Sequence, residues 1–304
     1  MQQPASAEPP DKNEYIVMKR FTIMAVCLLA VIELSAQTQK FEQRYNLLVS
    51  KLGPAGVGIE TVLDNWAKVD STSASFMKAR FDYYYSKAQR TEVVKKTTKK
   101  YLGMDPLLAL KDSLGANVYY YQETFFDDGL FGKAVKEVER AIKICPDNLD
   151  FRFMKANAYI SYEKESPDMA LAYLLDLAQA DVDRGSPWTY NGSKAEEGFL
   201  EDAMQEYCYS FYTIGTPESM RAFLELSRKM NSLHPSNLTY INNIGSYYMV
   251  AEEDFKTALK YYKKVLKKSP DDPTALRNGM IAARKLSNAK LEAKYRLALE
   301  KSSE

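Results

Sequence analysis

The chain has 304 residues, and its 41 basic and 40 acidic side chains leave a formal net charge of +1 at pH 7. A charge so near zero gives no global field to attract nucleic acid, so we expect no nucleic-acid partner. The single histidine and the well-separated Cys145 and Cys208 do not have the spacing of a zinc or other transition-metal site. We therefore predict no metal and no other cofactor.

The N-terminal segment has the composition of a secretory signal peptide. Lys19 and Arg20 precede a short apolar run that begins at Phe21, and small residues follow up to Ala36. The run is shorter than the about 20 residues of a membrane span. We predict cleavage near Ala36, a periplasmic or secreted mature protein and no stable membrane span. An uncleaved anchor and a buried helix are the alternatives. The predicted boundaries are 1–17 for a disordered or mis-assigned start and 18–36 for the signal peptide.

Residues 37–115 are predicted to contain degenerate helical repeats. Apolar residues spaced by three and four predict helices over Lys40–Leu52, Val57–Val69 and Ser73–Lys87. A helix of this kind buries one apolar stripe, so these three segments are expected to pack against one another.

The stretch from Asp105 to Tyr121 supports two predictions. Val118–Tyr121 are strong strand formers, and Leu107–Leu110 would pair with them across an Asp-Ser-Leu-Gly turn. The register of the pattern farther along the chain favours a helix that starts at about Ala116. We predict the helix and keep the hairpin as the alternative.

One spacing pattern occurs twice in the chain, in two copies that lie 124 residues apart. Offsets of three, four and seven residues place its members on one face of a helix, so each copy predicts two amphipathic helices joined by a tight turn. The first copy contains Phe131, Ala134, Val138, Ala141 and Pro146, and the second contains Phe255, Ala258, Tyr262, Val265 and Pro270. Upstream, Val118, Tyr121, Gln122 and Phe125 match Ile241, Ile244, Gly245 and Tyr248.

These residues resemble the tetratricopeptide repeat (TPR), a helix-turn-helix unit of about 34 residues. Ala134, Ala258 and Gly245 are small residues where paired helices approach closely; Gln122 departs from this pattern in the first copy. The resemblance implies an all-α fold, a right-handed α-solenoid of stacked helix-turn-helix repeats. The repeats are predicted over residues 116–304, ending in charged capping helices.

The resemblance also implies a scaffold that binds a protein or peptide on an inner surface lined by the first helix of each pair. The positions carried over are Tyr119, Glu123, Phe153, Asn157, Asn242 and Ser246. They lack the basic residues with which some family members hold a partner's C-terminal carboxylate, which argues against recognition of chaperone tails. We predict a non-catalytic scaffold in the bacterial cell envelope. Its partner and its oligomeric state stay open.

The long loop from Asp181 to Ser193 suggests an alternative function. It interrupts the repeats with glycine and proline around Trp188 and Tyr190, and loops of this length are often functional. Exposed aromatic rings stack on sugars, so a glycan-binding or uptake accessory protein is the alternative, with Trp188 and Tyr190 as its binding residues.

No catalytic residue is predicted, and we expect that the protein is not an enzyme. The only histidine, His234, precedes Pro235 in a turn, where a surface role is favoured over that of a catalytic base. No Gly-x-Ser-x-Gly nucleophile elbow occurs. We expect Cys145 and Cys208 to be free thiols on helix faces, with a disulfide as the alternative.

Overall fold

Helices make up most of the structure, a computed structural model that describes residues 12–301. The chain divides into two compact units. The first contains the residues up to Lys87 together with Gly129–Ile144, and the second contains Ala88–Asp128 and the residues from Cys145 onward.

Among the described residues, the first unit contains four helices: α1 (Lys12–Leu52), α2 (Ile59–Val69), α3 (Ala74–Ala88) and α4 (Asp128–Ile144). The helices predicted in residues 40–87 are therefore confirmed. Their apolar stripes meet around Trp66, which is fully buried and lies edge-on to Phe76 with 5.6 Å between ring centroids. Burial of such large rings supplies most of the stabilisation in a small core.

The predicted signal peptide lies within α1, which runs without a break through residues 18–36. Of the predicted disordered or mis-assigned start, residues 12–17 belong to the same helix and residues 1–11 lie outside the described residues. No helix in the described part of the chain has both the length and the apolar character to cross a membrane. Export and cleavage near Ala36 stay predictions.

Helix α4 carries the apolar face that the first copy of the pattern predicts. Its fully or nearly fully buried members are Phe131, Ala134, Val138 and Ala141. Its side chains contact α3, since the rings of Tyr85 and Phe131 lie 6.4 Å apart and Arg80 Nε donates to Glu137 Oε1 at 3.4 Å. The helix that partners α4 is thus α3, and not a helix immediately before α4.

The second unit begins with a three-stranded antiparallel sheet. Its strands are β1 (Gln89–Lys96), β2 (Leu108–Lys111) and β3 (Asn117–Phe126), in the spatial order β1-β3-β2. The predicted helix from Ala116 is therefore wrong, and the hairpin alternative is correct: Leu108 pairs with Tyr120 and Leu110 with Val118.

The physical reason is that strand formers here have partners on both sides. β3 pairs with β1 along one edge and with β2 along the other, and aromatic and β-branched side chains fit such a sheet. The turn is fixed by Asp112, whose carboxylate accepts the backbone N–H groups of Leu114 and Ala116, both at 2.9 Å. The residues upstream of Phe131 that match the repeat pattern consequently lie on a strand.

After α4, the described residues form eight further helices in four pairs. They are α5 (Leu149–Glu163), α6 (Asp168–Arg184), α7 (Phe199–Ile214), α8 (Pro217–Leu233), α9 (Leu238–Val250), α10 (Phe255–Lys268), α11 (Pro273–Lys285) and α12 (Ala289–Lys301). A short hairpin of two strands, β4 (Thr189–Tyr190) and β5 (Ser193–Lys194), lies between α6 and α7. Helices two apart also contact each other, namely α6 with α8, α7 with α9, and α9 with α11. This stacking of pairs is an all-α helical-repeat fold and confirms the predicted fold class.

Local sequence signals set where these helices begin. The Thr216 hydroxyl accepts the N–H of Ser219 at 3.1 Å, ahead of a proline in the first turn of α8. Asn237 and Asp272 cap α9 and α11 in the same manner. Each side-chain cap satisfies an N–H group that the helix itself leaves unpaired.

Candidate functional site

Each repeat is a pair of helices. Polar side chains on the first helix of one pair form hydrogen bonds with side chains on the first helix of the next pair. Asn243 on α9 donates to Gln205 Oε1 on α7 at 2.7 Å, and Asn278 on α11 donates to Ser246 Oγ on α9 at 3.3 Å. We call the surface that contains these groups the first-helix stripe, defined as Gln205, Tyr209, Asn242, Asn243, Ser246 and Asn278. It connects three consecutive repeats and is the candidate functional site.

Tyr209 is the exposed aromatic residue of the stripe. It lies one helical turn after Gln205 and therefore on the same face of α7, and its side chain is 60% exposed. Most tyrosines of the repeats are buried or half-buried, so an exposed ring beside side-chain amides is distinctive. Tyr209 was not among the residues predicted from the sequence, although it lies four residues after Gln205.

The predicted residues Asn242 and Ser246 both lie on α9, in the middle of the stripe. Asn242 is only 5% exposed and donates to Asp272 Oδ1 at 3.1 Å. Ser246 donates to the carbonyl of Asn242 at 3.0 Å and lies 3.3 Å from the hydroxyl of Tyr262. Both side chains thus take part in contacts within and between repeats.

Asn242 keeps one unused acceptor. Its Oδ1 atom is buried and has no hydrogen-bond partner among the described residues. A buried acceptor without a donor is unfavourable, which makes this amide the least satisfied group of the stripe.

The other predicted pair, Phe153 and Asn157, lies on α5. The Phe153 ring is half-buried against Tyr190 and Tyr207, with centroids 6.0 and 6.1 Å away, so it serves packing. Asn157 is exposed. Only Asn157 of this pair presents its side chain to solvent.

Tyr119 and Glu123 do not lie on a first helix, because both belong to β3. Glu123 is nearly buried and forms an ion pair with Lys164 at 2.6 Å, with Lys96 Nζ 3.8 Å away. The hydrogen bond with Tyr101, together with the nearby Glu123 carboxylate, raises the pKa of Lys96. The Glu123 carboxylate therefore joins the sheet to the turn between α5 and α6 and is not part of the first-helix stripe.

The two aromatic residues of the long loop are packed. Trp188 is 2% exposed and donates from Nε1 to Asp181 Oδ1 at 2.6 Å, while the guanidinium groups of Arg152 and Arg184 lie 4.9 and 5.0 Å from its ring. Tyr190 is half-buried against Phe199. The expectation of exposed rings is wrong for this loop, so the glycan hypothesis loses the observation on which it was based.

A cleft of about 530 Å³ lies between this loop, the start of α7 and His234. His234 is the C-cap of α8, in the predicted turn, with Nδ1 3.1 Å from Glu201 Oε2. Glu201 also accepts a hydrogen bond from Asn237, and Asp181 accepts one from Ser186. Asp181 thus holds the loop, and Glu201 holds the turn after α8, while Nε2 of His234 is buried without a hydrogen-bond partner among the described residues. Within residues 12–301, no group of three or more His, Cys, Asp or Glu side chains is arranged to hold a metal ion.

Both cysteines of the second unit are free in the structure. Cys208 is buried on α7, while Cys145 is half-buried directly after α4. Burial raises the pKa of the Cys208 thiol to about 12, and its sulfur lies 3.5 Å from the hydroxyl of Ser227.

No protein-family model and no curated protein matches the chain in sequence. Solved structures similar to the chain include two of MamA. One is 16% identical over 58% of this chain and 84% of that one, with a TM-score of 0.33, and the other is 15% identical over 58% and 90%, with a TM-score of 0.29. The TPR domain of P58(IPK) is 12% identical over 97% of this chain and 70% of that chain, with a TM-score of 0.30. The contacts between stacked helix pairs, and not these similarities, establish the helical-repeat fold.

Proposed function

We propose that the protein is a non-catalytic scaffold that binds an extended segment of another protein along the first-helix stripe. The observation that carries the proposal is the row of side-chain amides on α7, α9 and α11, next to the exposed ring of Tyr209; Gln205 and Asn278 are half-buried, and Asn242 and Asn243 are nearly buried. An amide both donates and accepts hydrogen bonds, as a peptide backbone requires. A tyrosine adds a large contact area at low entropic cost, since few torsions become fixed.

The charge of the stripe supports a peptide ligand recognised mainly through its backbone. None of the six side chains that define it is charged, so the stripe has no cation to hold a phosphate or a terminal carboxylate. The nearby charges on α7 are acidic, at Asp202 and Glu206, and both are exposed. We expect a partner segment that is neutral or mildly basic.

The cell envelope is the proposed location. Support comes from the basic start, apolar core and small-residue end of residues 18–36. Mass spectrometry of the N-terminus of the protein isolated from its own cells tests this part. A mature chain beginning at or near Gln37 is expected, and a chain that retains residues 18–36 would contradict export by cleavage.

Site-specific photo-crosslinking tests the binding site. A photoreactive amino acid placed at Tyr209 or at Ile281, an exposed residue three positions after Asn278, should form a crosslink to one partner. The same probe at Glu225, exposed on the second helix α8, is the matched control. Tyr209→Ala should reduce the yield from the Ile281 probe. A partner crosslinked only from Glu225, or equally from all three positions, would move the site away from the stripe.

A further inference from the structure

The three-stranded sheet has one free end. β1 ends at Lys96, opposite Tyr119, and β2 ends at Lys111, opposite Asn117. The turn before β3 therefore lies at the same end of the sheet as the end of β1. The chain enters and leaves the sheet at the other end, where Gln89 pairs with Phe126.

Leucine side chains are exposed at and near this free end. Leu114 lies in the turn and is 91% exposed, and Leu107, just before β2, and Leu108 and Leu110 within it are also exposed. Side chains alternate between the faces of a strand, so Leu108 and Leu110 share one face of β2. The exposed leucines thus extend from the start of β2 to the tip of the hairpin.

The same sheet and the loop after its first strand also carry exposed lysines. Lys95, Lys99, Lys100 and Lys111 are exposed in the sheet and in the loop that follows β1. The acidic residues of the sheet are mostly engaged elsewhere: Glu92 pairs with Arg90 at 2.7 Å, Glu123 pairs with Lys164, and Asp112 accepts the N–H groups of its own turn. Asp105, exposed in the loop that leads into β2, offsets one of these four lysine charges. The free end therefore carries exposed leucines and an excess of basic residues.

We propose that the free end of this sheet docks on the surface of an anionic phospholipid bilayer. Leu114 and the leucines of β2 insert at the boundary between headgroups and acyl chains, and the exposed lysines face the headgroup phosphates. Exposed apolar side chains combined with basic residues bind anionic membranes in this way without spanning them. The proposal is independent of the protein-binding role of the first-helix stripe.

The geometry favours a bilayer over an acidic peptide. A peptide added to the outer edge of β2 would pair with Leu108–Lys111, whereas Leu114 lies beyond the end of that strand, in the turn. An acyl-chain environment surrounds all of them at once. Lysine positions in a strand and in a loop also suit a diffuse layer of phosphates better than one extended chain.

Vesicle flotation of the purified full-length protein tests the proposal. The vesicles contain either phosphatidylcholine alone or phosphatidylcholine with phosphatidylglycerol. Leu114→Ser removes the apolar tip, and the double variant Lys99→Gln/Lys100→Gln removes two charges. Leu297→Ser on α12 and Lys263→Gln/Lys267→Gln on α10 are matched controls, because these side chains are exposed elsewhere in the same unit. The apolar run beginning at Phe21 is present in the parent and in every variant, so it contributes equally to vesicle binding in all of them.

We expect the parent to bind anionic vesicles more tightly than neutral ones, and added salt to weaken that binding. Leu114→Ser and the hairpin lysine variant should each bind anionic vesicles about tenfold more weakly, while both controls bind as the parent does. Unchanged circular dichroism and melting temperature verify that each variant is folded.

Two results would overturn the proposal. One is equal flotation of the parent and both hairpin variants, whatever its strength. The other is absence of binding to any vesicle; retention of the parent on immobilised poly-glutamate in that case would assign the surface to an acidic protein partner.

Discussion

A β-carbon built on Gly245 of α9 would lie 2.7 Å from Cε1 of Tyr262 on α10. The relationship recurs in the last pair of helices, where a β-carbon on Gly279 would lie 2.9 Å from Cε2 of Tyr295. In both pairs a glycine on the first helix lets the ring from the second helix lie against its backbone. This contact sets the distance between the two helices of a repeat.

Gly245→Ala should destabilise the protein despite the better helix propensity of alanine. Alanine gains about 1 kcal/mol over glycine in a helix, but the fully buried Tyr262 ring has no room to move, and overpacking costs about 1–3 kcal/mol. Urea denaturation measures the net change in the free energy of unfolding. Gly132→Ala on α4 is the control: its β-carbon would meet no atom within 4 Å, so it should stabilise the protein. Equal effects of the two substitutions would contradict the close approach.

Ala258→Trp should unfold the C-terminal repeats. Ala258 is fully buried among Ile241, Tyr262, Val265 and Ala275, and an indole has no space at that helix crossing. Loss of helical circular dichroism and rapid proteolysis of the residues after α8 are expected. Ala251→Trp is the control, since Ala251 is exposed at the end of α9. If Ala258→Trp melts like the parent, the register of this repeat is wrong.

Breaking the ion pair between Glu123 and Lys164 should loosen the sheet. Lys164→Met leaves a nearly buried carboxylate with only the more distant Lys96, and loss of one partner of a buried pair costs about 3–5 kcal/mol. Because Lys164 is partly exposed, we expect the loss of stability to lie at or below the lower end of this range. Hydrogen exchange of the β3 amides measures the effect. The double variant Glu123→Gln/Lys164→Met should recover part of the protection, and no recovery would mean that packing of the lysine stem dominates.

Cys208 should react slowly with thiol reagents in the folded protein. Burial raises the pKa of its thiol to about 12, so little thiolate is present at pH 8, and only the thiolate reacts. In a variant in which Cys27, of the N-terminal apolar run, and Cys145 are both replaced by serine, labelling of Cys208 should be slow. Urea should accelerate this labelling strongly. Fast labelling without denaturant would show that α7 opens readily.

Stability should fall as the pH rises from about 10 to about 12. Burial raises the pKa of Tyr262 to about 12, and the hydrogen bond to Glu252, followed by burial, raises that of Tyr247 to about 12. An unfolded tyrosine ionises near pH 10, so between these values the unfolded state binds fewer protons than the folded state and is favoured. Loss of circular dichroism should coincide with appearance of tyrosinate absorbance. Glu252→Gln should move the ionisation of Tyr247 to lower pH, whereas an unchanged titration would contradict the assigned hydrogen bond.

The sheet could not be predicted from local sequence alone. Val118–Tyr121 have strand propensity, yet the repeat register predicted a helix, and the choice depended on whether β1 would pair with β3. Gln89–Lys96 has exposed, mainly polar side chains, so no apolar period identified it as a strand. Contacts distant in sequence therefore decided the structure of this segment.

The candidate site was predicted only in part. Asn242 and Ser246 lie on the stripe, but Asn242 is buried against Asp272, and the exposed Tyr209 was missed. Helical spacing tells which residues share a face; it does not tell which of them the next repeat covers. The burial of Trp188 follows from the same limit, because its partners Asp181, Arg152 and Arg184 come from two different helices.

The sequence by itself determined the helices of the repeats and their close contacts. Apolar spacing, caps and small residues such as Gly245 and Ala258 act within one or two turns of chain, so they can be read locally. Only the tertiary structure decided that α4 contacts α3, that a sheet is inserted between them in the chain, and which polar groups stay exposed. Those outcomes depend on which surfaces, distant in sequence, are buried against each other and away from water. That burial exists only once the whole chain is packed.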